Sequence, residues 1–243
     1  MKRLVIKITI LIAVVTSAVI WRLAVISENP PAQPTAARVE PAAILIIDPG
    51  HGGADGGASS AVGLRESEVN LDIARRLDQL MGFFGVPTVM TRESEEIEYS
   101  QEADTIRKKK NEDMRNRVKL INSIENGVLI SIHQNTYPDP EPSGAQVLFA
   151  RTRDSEEFAK NMQSLLISVL NPYSRRAAAP IPGRVFMMNN ITVPAILIEC
   201  AFLSNPDEER LLQTDEYRLK IAAVIAAGYL GNREMLYTYR RNE

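Results

Sequence analysis

Apolar residues along the chain gather into three short runs, each cut off by polar residues. Ile44-Leu45-Ile46-Ile47 stops at Asp48-Pro49-Gly50-His51-Gly52-Gly53, and Val128-Leu129-Ile130-Ser131-Ile132 stops at His133-Gln134-Asn135. Ala195-Ile196-Leu197-Ile198 stops at Glu199. Short runs of this kind, bounded by turn residues, predict fully buried strands of a parallel sheet. Between them the apolar spacing becomes helical. Leu71, Ala74, Leu77 and Met81 form one face after Asn70; Val118, Ile121 and Ile124 form a second; Phe158, Met162, Leu165 and Leu166 form a third. The alternation predicts an α/β fold, a mainly parallel twisted sheet with helices on both faces. Ligands of such sheets bind beyond the carboxyl ends of the strands. His51, His133 and Glu199 each stand at such an end, so parallel strands would gather them on one sheet edge.

The pattern before residue 44 is of another kind. Ile8 to Trp21 is an uncharged apolar run preceded by Lys2, Arg3 and Lys7. A basic start and an apolar stretch predict a membrane anchor or signal sequence over residues 1–26. No clean small-x-small cleavage site follows, which favours an uncleaved anchor. Residues 27–43 contain Pro30, Pro31, Pro34 and Pro41 and read as an extended linker. A catalytic domain is expected over 44–232 and a tail over 233–243. The expected location is extracytoplasmic, in the cell envelope, either anchored or secreted.

Composition narrows the chemistry. Of 243 residues, 45% are hydrophobic and 24% charged, which excludes wholesale disorder. Lys and Arg number 28 against 30 acids, so no basic excess points to nucleic acid. The single cysteine, Cys200, excludes an intramolecular disulfide framework and a cysteine zinc cluster. It suits an oxidising compartment if it is buried. His51 and His133 are the only two histidines.

Two histidines and a carboxylate on one rim point to a catalytic site for one zinc ion, with three protein ligands and an open position. Glu66 and Glu68, just before the Asn70 helix face, are both candidates for the third ligand. The glycines of 50–57 lack the ending of a phosphate loop and read instead as backbone that must pass close to metal and substrate. Cys200, with His133 as base, is an alternative nucleophile. Lys108 to Lys110 read as a solvated helix face or as a contact for an anionic glycan. Asn205-Pro206-Asp207-Glu208 reads as a helix cap, with Glu208 as the capping partner.

The motifs resemble those of the zinc-dependent N-acetylmuramoyl-L-alanine amidases of the amidase-3 type, over roughly Ile44 to Gly231. The matching stretches are residues 46–53 and 66–74, Thr91-Arg92, Arg117 through Asn122, 131–135 and 194–206. The resemblance implies a zinc exopeptidase-like fold, with His51, Glu66 and His133 as ligands and Glu199 as the catalytic acid and base. Arg92, Arg117 and Asn135 match family positions and are expected to touch substrate or support the site. Ser67 stands where a lysine is common and Gln134 where alanine is.

Segments 107–113 and 180–188, with the N-terminal anchor, resemble more narrowly the sporulation-associated CwlD-type amidases. That implies removal of stem peptides from spore-cortex peptidoglycan, towards muramic δ-lactam and germination, and a possible protein partner for activation or metal retention. Two readings compete with this one: a zinc exopeptidase of free peptides, and a non-catalytic wall-binding protein.

Overall fold

A computed structural model of the chain describes residues 43–238, and these belong to one unit that begins at Ala42. The expected anchor, most of the linker and the end of the expected tail lie outside the described residues. Among the described residues six strands form one sheet: β1 (Ile44–Pro49), β2 (Thr88–Met90), β3 (Gly127–Asn135), β4 (Gln146–Phe149), β5 (Ala179–Pro180) and β6 (Ala195–Phe202). Their spatial order is β2-β1-β3-β6-β4-β5. The strands expected from sequence are β1, β3 and β6, which lie side by side and parallel at the sheet centre. β4 runs antiparallel to β6, so the sheet is mainly but not wholly parallel.

Among the described residues five α-helices clad the sheet: α1 (Glu66–Phe83), α2 (Ile106–Asn122), α3 (Ser155–Leu170), α4 (Pro206–Leu212) and α5 (Asp215–Thr238). Side chains alternate between the faces of a strand, so neighbouring residues enter different cores. Leu45, Ile47, Ile130, Ile132, Ile196 and Ile198 face the larger core, closed by α1, α3 and α5 and by Leu212 at the end of α4. Ile46, Leu129 and Leu197 face a smaller core, closed by Ile121 of α2 and by Met187 to Val193. The helical faces read from sequence are the ones that pack: Leu71, Ala74, Leu77 and Met81 of α1 and Phe158, Met162 and Leu166 of α3 are buried.

The last helix extends the packed unit beyond residue 232. Leu236 of α5 is buried in the larger core, so the first residues of the expected tail belong to the fold.

The helix cap at Asn205 forms, with Oδ1 accepting from Asp207 N at 3.0 Å and Glu208 N at 3.1 Å. Glu208 does not close a capping box. Its buried carboxylate accepts instead from Phe202 N at 2.7 Å and Gly144 N at 2.8 Å. It thereby ties the end of β6 to the loop before β4. Glu208→Ala should leave two buried amides unpaired and cost about 3 kcal/mol, read as a lower urea midpoint with an unchanged m-value.

Candidate active site

β1 ends in a loop that cannot relax freely. His51 has φ 62°, a left-handed conformation unusual for a side-chain-bearing residue. Its carbonyl accepts from Arg117 Nη2 at 2.6 Å, and Arg117 Nη1 donates to Pro49 O at 2.7 Å. Arg92 Nε donates to Pro49 O at 2.9 Å, and its Nη2 to Gly50 O at 3.1 Å and Ser67 O at 2.8 Å. Two buried guanidiniums thus hold three successive carbonyls. The same turn passes so close to His133 that a Cβ on Gly50 would lie 2.2 Å from its ring. At Gly57, where φ is +67°, a Cβ would lie 2.6 Å from Glu66 Oε2. The glycine loop is therefore spacing for side chains that converge on it.

Arg117 is itself anchored by Asp48, whose Oδ1 accepts from Nη1 at 2.8 Å. Asp48 also accepts from Thr91 Oγ1 at 2.6 Å and Ser131 Oγ at 2.5 Å. Burial opposes ionisation of Asp48, but Arg117 and these hydroxyls outweigh it and hold the carboxyl below the usual range.

Glu66 opens α1. Arg65 provides no side-chain cap. The loop supplies one instead, with Glu66 N donating to Ala58 O at 2.9 Å and Ser67 N to Gly56 O at 3.2 Å. Glu66 Oε1 lies 3.2 Å from His51 Nε2 and 3.0 Å from His133 Nδ1. Gln134 N donates to Oε1 at 3.2 Å and Ala58 N to Oε2 at 2.9 Å, which fixes the carboxylate. Glu68 points elsewhere, half exposed beside Arg65.

His51, Glu66 and His133 each offer one ligand atom, all within 4.8 Å of one another. Ligands about 2.1 Å from a tetrahedral ion stand roughly 3.4 Å apart, within about 0.4 Å of the two spacings from Glu66. Two imidazoles and one carboxylate are also a suitable donor set, so the residues fit a divalent ion such as zinc. Asp55 Oδ2 is 3.0 Å from His51 Nδ1, the kind of contact that orients a ligating imidazole. Burial by itself would lower the His51 pKa, but Asp55 and Glu66 push it up to about 9.

Glu199 lies beside His133 in the β3–β6 register. Burial raises its pKa, and its Oε2 is buried without a hydrogen-bond partner. His51, His133 and Glu199 line one cleft of about 410 Å³, which also meets Lys110 and Met114 of α2 and the segment Arg184 to Met187.

The remaining sequence expectations divide. Cys200 is buried on the opposite face of the sheet, in the larger core, and burial pushes its thiol pKa well up; it is no nucleophile for this cleft. Arg92 and Arg117 hold the loop, and Arg117 also lines the cleft. Asn135 Oδ1 accepts from Thr136 N at 2.8 Å, and the residue is not part of the cleft lining. The lysine run is not one solvated face: Lys108 pairs with Asp104, Lys109 lies over Tyr99, and Lys110 reaches Asp55 at 2.7 Å in the cleft. Asp55 carried a signal that went unused, an acid four residues after the loop histidine.

Residues 45–230 match the N-acetylmuramoyl-L-alanine amidase family. The chain belongs to this family. The germination-specific amidase of Bacillus subtilis is 40% identical over 188 residues, covering 77% of this chain and 78% of that protein. The amidase LytC of the same organism is 28% identical over 76% of this chain but only 34% of its own length. Among solved structures, the CwlD amidase of Clostridioides difficile, in complex with the GerS lipoprotein, is 32% identical. It superposes with a TM-score of 0.74 over 78% of this chain and 97% of that one. The amidase AmiC2 of Nostoc punctiforme gives a TM-score of 0.65 at 25% identity, over 78% of this chain and 96% of that one.

In this amidase the Asp48–Arg117 pair should set an acid limit. A carboxyl whose folded pKa is depressed stabilises the fold above its unfolded pKa of about 3.9 and loses that contribution as pH falls through the folded value. Asp48→Asn should cost about 3 kcal/mol at pH 7. The gap from wild type should narrow below about pH 4, measured by urea unfolding across pH.

Proposed function

We propose that this amidase hydrolyses the bond between N-acetylmuramic acid and L-alanine in peptidoglycan, using one zinc ion, and that its substrate is spore cortex. The observation that carries this reading is the His51–Glu66–His133 donor set, whose two histidines line one cleft with Glu199 and its buried, unpartnered oxygen. The germination-specific name of the Bacillus subtilis relative supports the cortex role.

His51, Glu66 and His133 would hold the ion. The chemistry such an ion would supply there is Lewis acidity towards the amide carbonyl and the attacking water. Glu199 takes a proton from the attacking water while the water oxygen bonds to the carbonyl carbon. It then delivers that proton to the amide nitrogen as the carbon–nitrogen bond breaks. Its buried position next to His133 suits both transfers, because few waters compete for the proton. Asp55 keeps the His51 ring turned so that Nε2 faces Glu66. Arg117 and Arg92 keep the loop carbonyls, and hence both imidazoles, in register.

Residues 1–26 would anchor the chain outside the cytoplasm, with 27–43 as spacer and the catalytic domain starting at 44. No helix among the described residues is long and apolar enough to cross a membrane. A lipoprotein is the kind of partner to expect, since the Clostridioides difficile relative was solved with one.

Glu199→Gln should keep stoichiometric zinc and lose at least about a hundredfold in kcat. Retained turnover would remove it from the mechanism. His51→Ala, His133→Ala and Glu66→Gln should lose zinc, and Glu68→Gln should not, by metal analysis of the purified proteins. Mass spectrometry of digested muropeptides, with and without added zinc, tests the bond cleaved.

A further inference from the structure

Three cations line the cleft, and two of them are already neutralised. Lys110 meets Asp55 at 2.7 Å, and Arg117 pairs with Asp48 at 2.8 Å and Asp113 at 3.0 Å. The third, Arg184, lies between β5 and the short 3-10 turn Met187–Asn189. It is exposed and has no hydrogen-bond or ion-pair partner among the described residues. A guanidinium is a planar fork of donors that matches a carboxylate. Phe186, 42% exposed, and Met114 give the same cleft an apolar surface.

The substrate of the proposed reaction is unevenly charged. Its glycan half is N-acetylated sugar, and the muramoyl acid is consumed in the scissile amide. Free carboxylates therefore belong to the peptide half. We infer that Arg184 binds a carboxylate on the amine side of the scissile bond and so fixes which way the substrate lies in the cleft. Phe186 and Met114 pack against the aliphatic part of the same peptide. The inference rests on the amidase reading above. It assigns to segment 184–187 the selection of an acidic stem, separate from the chemistry at Glu199.

The test compares N-acetylmuramoyl-L-alanyl-D-glutamate with its diamide on the zinc-loaded enzyme. Wild type should show a KM about tenfold lower for the free acid, the scale of one charge-assisted hydrogen bond. Arg184→Ala should raise KM for the free acid about tenfold, leave kcat in place, and leave the diamide unaffected. Arg184→Lys should restore part of the preference, and thermal unfolding should be unchanged, since Arg184 makes no hydrogen bond or ion pair among the described residues. Equal KM values for the two substrates in wild type, or equal losses on both in Arg184→Ala, would overturn the assignment while leaving the amidase reading intact. A wild type that cleaves neither substrate overturns both.

Discussion

The site depends on one buried ion pair. Asp48 and Arg117 meet where β1 ends, among side chains almost wholly out of water. Isolated burial of either charge would be expensive. Together, and with Thr91, Ser131 and Asp113 filling the other positions, they form a satisfied network. Its remaining donors point at the carbonyls of Pro49 and His51. That contact offsets the left-handed conformation at His51, which costs of order 1–3 kcal/mol. The imidazole is therefore aimed by the protein's own charge network.

The sheet converts this local constraint into a constellation. β1, β3 and β6 are parallel neighbours, so the residues that follow each apolar run come out at the same level. The pleat adds a choice of face. Asp48, Ser131, His133 and Glu199 share the parity of Ile46 and Leu129 and emerge over the smaller core. Cys200, one residue further, emerges on the other side. A displacement of one residue in β6 would exchange Glu199 for a thiol.

These central features were legible because each rests on a short-range pattern. An apolar run ending in polar residues fixes a strand end, and three such ends locate His51, His133 and Glu199. The edges were less legible. β2, β4 and β5 are short and largely half-buried, and α5 buries a face of Ile221, Ala222, Ile225 and Ala226 whose alanines give weak contrast. Long-range partners were not legible at all. Glu208 carries the mark of a capping acid, yet it serves Phe202 and Gly144, because burial left those amides no water. Lys110 sits in a run of like charges, and only the approach of α2 to the glycine loop separates it from its neighbours. Residue spacing alone left Glu66 and Glu68 both open and only the family resemblance favoured Glu66, because it takes the start of α1 in space to show which carboxylate meets both imidazoles.

The sheet is heavily clad on one side and lightly on the other. Among the described residues four helices contribute to the large core, whereas a single helix and an irregular segment close the small one. Regions with fewer apolar contacts open at lower free energy than the global fold. Breathing of the thin side can therefore proceed without melting the thick one. His133 and Glu199 emerge on that thinner side, so the candidate site sits where the fold is easiest to open.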